Sequence, residues 1–168
     1  RMSSERKGIA DLIKPNETIM VMFSGSGVYP LVIIKNSQAK EVYGIEINPI
    51  AHKYALENIK KNKLENKVKV FLGDVNKVMP KINKKFDRIL MPLPKGAESF
   101  LGLTLKYIKK KGIVHFYDFL HEDEFEKAHE KIKNACIKSK KKFKILNTVK
   151  CGQYSPGFFR VCVDFEVF

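Results

Sequence analysis

Short runs of β-branched, aromatic and aliphatic residues alternate along this chain with helix-patterned segments, and that alternation limits the fold more than any other feature. Strands are predicted at 18–23 (TIMVMF), 42–46 (VYGIE), 68–72 (VKVFL), 87–91 (DRILM) and 112–118 (GIVHFYD), each apolar enough to be buried on both faces. Helices are predicted at 29–36, 49–63, 97–109 and 122–138, with Pro49 in a favoured first-turn position and Gly112 just past a helix end. Strands that alternate with helices build an α/β fold whose mostly parallel sheet is covered on both faces. The rhythm changes at the end: 143–151 and 159–168 read as two strands joined by the turn-rich GQYSPG, so this last pair is expected to be antiparallel.

With 168 residues, 44% of them hydrophobic, the chain can bury one domain's core. No run approaches the length of a membrane span, and no charged segment leads into an apolar signal sequence. Cys136, Cys151 and Cys162 are odd in number and none pair as CxxC, which argues against a disulfide framework and against a zinc site. A soluble, cytoplasmic, monomeric chain without membrane or metal is expected. Lys and Arg number 32 against 18 Asp and Glu, a net charge of +14, and the commonest soluble partner of such a surplus is a phosphate backbone. Almost all of it is Lys, with Arg only at Arg1, Arg6, Arg88 and Arg160, so charge alone does not identify the partner. The Lys-rich stretch 138–144 reads first as a solvated helix end and second as a phosphate track.

After the first strand stands FSGSG, residues 23–27, where Phe23 leads into the glycine pair Gly25 and Gly27. Glycines at a strand-to-helix turn let a ligand approach backbone N–H groups at the next helix's N-terminus. Glu46, 19 residues past Gly27 and at the end of the second strand, is placed to accept hydrogen bonds from ribose hydroxyls. Asp74 follows the third strand and would reach an adenine amine or cap the segment after it. The glycine pair together with Glu46 points to a nucleoside-containing cofactor. Pro92 and Pro94 impose a rigid extended turn after the fourth strand.

Five parallel-type strands followed by a hairpin resemble the class I S-adenosylmethionine-dependent methyltransferase (Rossmann-like) fold, a mostly parallel seven-stranded sheet with a C-terminal antiparallel hairpin; a generic Rossmann or flavodoxin-like sheet also fits the first half. The runs SSERKGIADLIKP, MFSGSGVYP, VYGIEINPIAHKYALENIKKNK, DRILMPLPKGAESFL and YSPGFFRVCVDFEV carry the resemblance further. Over essentially the whole length they resemble the catalytic domain of the archaeal and eukaryotic type tRNA guanine-N1 methyltransferases, which act on the purine 3′ of the anticodon, tRNA position 37.

The resemblance implies S-adenosylmethionine as cofactor, bound through Phe23, Gly25, Gly27, Glu46, Ile47, Asp74, Val75 and Pro92, and the tRNA anticodon loop as partner. It implies Glu5 as the base that takes the guanine N1 proton, Arg1 and Arg6 as cations for the O6 oxyanion or for phosphate, and Pro92 and Pro94 as the turn over the reacting groups. Tyr29, Lys95, Tyr154 and Pro156 become candidates for holding the target base, although core packing is the plainer role for any one aromatic residue. Val21 replaces an acid common in relatives, and Pro92 an Asn. The PLP turn resembles an archaeal subgroup that also methylates C7 of a wyosine precursor at position 37. Relatives carry N-terminal tRNA-binding domains, and the start at Arg1 fits a single methyltransferase domain, 1–168, excised from a longer chain. Two rivals remain: the aminocarboxypropyl transferase of wyosine synthesis, and an RNA-holding relic without catalysis.

Overall fold

The computed structural model describes residues 2–93 and 95–168, with the side chains of residues 2–4 and 7 outside that description. It contains seven strands in one sheet of order β3-β2-β1-β4-β5-β7-β6, where β1 is Thr18–Met22, β2 Glu41–Glu46, β3 Val68–Leu72, β4 Phe86–Met91, β5 Ile108–His121, β6 Phe143–Ser155 and β7 Phe158–Val167. The helices are α1 (Met2–Leu12), α2 (Val28–Asn36), α3 (Pro49–Lys61), α4 (Val75–Ile82), α5 (Leu101–Tyr107) and α6 (Glu126–Lys138). The chain divides into two compact units, residues 1–86 and 87–168.

In the first unit β1, β2 and β3 are parallel neighbours, with Val21 opposite Gly44 and Glu46 opposite Leu72. Because all three run the same way, the residues that follow them come to one carboxyl edge. Val21 and its neighbours Ile19, Met20 and Met22 are wholly buried, as the apolar run required. Asn48 caps α3, its side chain accepting from the backbone of Ile50 and Ala51, and Pro49 fills the first helical position as expected.

In the second unit β7 pairs antiparallel with β5 on one side and β6 on the other. The predicted hairpin is present, but its turn is shorter than GQYSPG. The strand runs through Ser155 and only Pro156 and Gly157 (φ 79°) remain, the residue order that a type II turn demands. A Cβ at Gly157 would lie 2.7 Å from His121 Nε2, so the turn also needs glycine for close packing. Three irregularities interrupt the β6–β7 register, one of them at Cys151, and bulges with lysines are common on an exposed edge strand.

Three helix expectations change. The segment predicted as one helix over 97–109 is a 3-10 turn, Ala97–Phe100, followed by α5, and β5 begins at Ile108. The chain doubles back there, with Lys111 at φ 65° and an added Cβ on Gly112 only 2.7 Å from the Ile108 side chain. The helix predicted over 122–138 begins as a 3-10 turn, Glu122–Glu124, before α6. Helix α4 was not predicted: it is 8 residues long and contains Pro80, a breaker in most helix interiors. No helix among the described residues is long and apolar enough to cross a membrane.

Candidate functional site

The carboxyl edge of the first unit gathers the glycine loop, Glu46 and Asp74. Phe23 and Gly25 lie at φ 57° and 59°, and Gly27, at φ 85°, opens α2 without any side-chain cap. That helix start therefore presents backbone N–H groups that a ligand can use. A Cβ on Gly27 would sit 3.2 Å from Ala55 Cβ, so α3 packs directly on the loop. The Glu46 carboxylate ties the edge together: Gly25 N–H donates to Oε1 at 2.9 Å and Asn48 N–H to Oε2 at 2.8 Å. Each oxygen keeps a second lone pair for an incoming hydroxyl. Asp74 is the cap of α4, its Oδ1 accepting from Asn76 N–H at 2.9 Å, and among the described residues Oδ2 has no hydrogen-bond donor.

Ile47, 68% exposed beside Glu46, offers an apolar face at this edge. Val75 is 3% exposed, so its side chain belongs to the core and only its backbone is left to meet a ligand. Val21 is likewise a core residue.

Glu5 and Arg6 meet Tyr29 within the same unit. The Tyr29 hydroxyl donates to Glu5 Oε2 at 2.8 Å, and the Arg6 guanidinium carbon stands 5.5 Å from the ring centroid. Tyr29 is 7% exposed, so it positions Glu5 and packs against Arg6; it is not an open stacking face for a base. Arg6 Nε is buried with no hydrogen-bond partner among the described residues. A guanidinium with a donor unspent is suited to an anionic oxygen. Arg1 and Pro94 lie outside the described residues.

In the second unit Leu93 N–H donates to Met91 O at 2.9 Å, closing a γ-turn around the half-buried Pro92. This turn is tighter than the extended one expected. Lys95 lines a cavity of about 420 Å³ together with Asp118, Phe119, Lys131, Tyr154 and Phe158. Tyr154 is 76% exposed and meets Phe119 edge-on, centroids 5.0 Å apart, so its outer face is open to a planar ring. Pro156 is exposed at the hairpin turn that fixes Tyr154 and Phe158. Lys131 Nζ donates to Asp118 Oδ2 at 2.7 Å and stands 3.7 Å from Glu98, and with Lys95 in the same lining two cations offset two carboxylates.

A buried grouping of His115, Cys162 and Asp164 has donor atoms within 4.8 Å of one another, which sequence spacing did not reveal. Its members belong to a buried hydrogen-bonded chain. His115 Nδ1 and Asp164 Oδ1 are 2.6 Å apart and His115 Nε2 lies 2.8 Å from Arg88 Nη1. A guanidinium can only donate, so Nε2 accepts and the proton sits on Nδ1, with both ring nitrogens engaged. Bringing a cation beside Arg88 would also cost repulsion. Burial pushes the Cys162 thiol well above its ordinary range, and Asp164 and Cys151 nearby push it the same way.

Sequence reasoning missed Gly44, Asn48, Asp118, Phe119 and Lys131. Gly44 left a signal, since an isolated glycine inside a strand often marks close backbone approach. Here an added Cβ would come 2.8 Å from Ser24 in the glycine loop. Lys131 left none, as one lysine among many on a helix.

The family profile described as the TRM5/TYW2 methyltransferase domain matches residues 1–146. A tRNA(Phe) (4-demethylwyosine(37)-C(7)) aminocarboxypropyltransferase of Methanocaldococcus jannaschii is 34% identical over 95% of this chain and 64% of its own length. The tRNA (guanine(37)-N(1))-methyltransferase Trm5b of Pyrococcus abyssi is 34% identical over 99% of this chain and 49% of its own. The crystal structure of M. jannaschii TYW2 in complex with AdoMet superposes with a TM-score of 0.87 at 33% identity, covering 98% of this chain and 74% of that one. The chain thus spans about half to two thirds of the length of these curated relatives.

Proposed function

The chain belongs to the TRM5/TYW2 methyltransferase domain family, and from that premise we propose that it transfers a methyl group from S-adenosylmethionine to N1 of guanine at tRNA position 37. We also read residues 1–168 as one catalytic domain of a longer cytoplasmic protein. One observation carries the reading: Glu46 is fixed by two backbone amides at the same strand edge as the uncapped start of α2 and Asp74, an arrangement suited to a ribose, a carboxylate and an adenine amine. The residues present fit the cofactor despite Val21, because the hydroxyl and amine acceptors come from Glu46 and Asp74.

When bound, S-adenosylmethionine supplies a methyl group already activated by its sulfonium. Glu5, held through Tyr29, accepts the N1 proton, and the unspent Arg6 Nε–H favours the negative charge that then collects on O6. Tyr154 and Phe158 stack the loop base, with Lys95 at the rim. Pro92 shapes the turn and offers no side-chain amide, which shifts the burden of orienting the base onto these groups.

The M. jannaschii relative favours a second reading, aminocarboxypropyl transfer at the same tRNA position, and methylation of a wyosine precursor at C7 is a further substrate of the leading one. Calorimetric titration with S-adenosylmethionine tests the donor site. Micromolar binding that Glu46→Ala weakens at least tenfold supports it, and absence of binding by the folded chain contradicts it.

A further inference from the structure

Two cavities of the 87–168 unit share a wall. The aromatic one, about 420 Å³, and a second of about 640 Å³ are both lined by Glu98 and Lys131. The second runs between α5 and α6 past Ser99, Gly102, Asn134, Lys138 and Ser139. Lys131, Asn134 and Lys138 follow helical spacing and so lie on one face of α6. Together the cavities form one groove, aromatic at Tyr154 and Phe158, charge-balanced where Lys95 and Lys131 offset Asp118 and Glu98, and cationic and hydroxyl-rich at Lys138, Ser139 and Ser99. A side chain added at Gly102 would meet nothing within 4 Å, so the groove is open there.

We infer that this groove holds single-stranded RNA of the anticodon loop: the loop base lies on Tyr154, and the adjoining sugar–phosphate runs over Gly102 to Lys138. The inference rests on the tRNA reading above and adds residues to it. Chemistry selects the occupant. Exposed aromatic faces take unpaired bases and not duplex. Lys131, 2.7 Å from Asp118 and 3.7 Å from Glu98, offsets part of the negative charge that would repel phosphate, and Lys138 supplies a cation at the far end.

The test uses this chain, an anticodon stem-loop RNA bearing guanosine at position 37, and a duplex RNA of equal length, with affinity read by fluorescence anisotropy. Gly102→Leu fills the groove while replacing glycine by a better helix former. It should weaken stem-loop binding at least tenfold, leave the melting temperature no lower, and keep S-adenosylmethionine affinity within twofold. Lys138→Gln should reduce the slope of log affinity against log salt by roughly 0.7, the loss of one single-strand phosphate contact. Stem-loop affinities within twofold of the parent in both variants would overturn the groove while the tRNA reading stands. Equal parent affinity for duplex and stem-loop would also overturn it, leaving a general polyanion surface. No stem-loop binding by the parent chain would defeat the tRNA reading and the groove together.

Discussion

Tyr29 donates its hydroxyl hydrogen to Oε2 of Glu5 at 2.8 Å, while Arg6 lies against the same ring. A buried tyrosine on α2 therefore sets the direction of a carboxylate on α1. If Glu5 is the base, Glu5→Gln should cut single-turnover methyl transfer by roughly 10²-fold or more, with donor affinity within about threefold. Tyr29→Phe should lower the same rate by a smaller factor, since the carboxylate remains but loses its fixed orientation. Rapid-quench assays with labelled donor measure both, and a Glu5→Gln rate equal to the parent's would remove Glu5 from the mechanism.

Glu46 has a structural role as well as the proposed ribose contact, because both oxygens already accept backbone N–H groups. Glu46→Gln turns one acceptor into a donor facing an amide. Thermal melts should show a loss of about 1–3 kcal/mol alongside weaker donor binding. Unchanged stability would mean that the amides find other partners.

Gly44 is the position where a single methyl should do most harm to the glycine loop. Gly44→Ala sets a Cβ 2.8 Å from Ser24 Cβ and 3.2 Å from Val70 Cγ1, so the glycine loop or the neighbouring strand must shift to admit it. Denaturant unfolding should report a loss of about 1–3 kcal/mol, typical of overpacking.

The three cysteines should react in order. Burial pushes the Cys136 thiol up to about 11 and raises Cys162 further from reactivity, whereas Cys151 is only half-buried, at a register irregularity of β6. Titration of the native protein with a thiol reagent at pH 8 should modify Cys151 first, with the other two following only as the chain unfolds.

Glu41 should contribute to the acid limb of stability. Burial alone would raise its carboxyl, but hydrogen bonds from Lys84, Tyr43 and Lys69 outweigh that and hold it below the ordinary 4.5. A carboxyl depressed in the folded state adds stability above the unfolded value, and that stability is lost as pH falls through the folded one. Melting temperatures between pH 6 and pH 3 should fall less steeply in Glu41→Gln than in the parent.

Much of this was legible in the sequence because strand burial and glycine placement act locally. TIMVMF and VYGIE became the buried parallel strands β1 and β2, VKVFL became the edge strand β3 with only Val68 buried where burial on both faces was expected, and Glu46 and Asp74 stand where the strand ends predicted. What escaped depends on packing between distant segments. Tyr29 reads as a core aromatic or a stacking face until α1 brings Glu5 to it, and Lys131 gains meaning only when α6 lies over Asp118. Helix α4 escaped because Pro80 masks a short helix whose start Asp74 secures.

The most direct test is to incubate the chain with S-adenosylmethionine and a tRNA transcript carrying guanosine at position 37, then identify that nucleoside by mass spectrometry. The account predicts 1-methylguanosine, lost in Glu5→Gln. Unmodified guanosine from a folded, donor-binding chain, or an aminocarboxypropyl adduct, would contradict it.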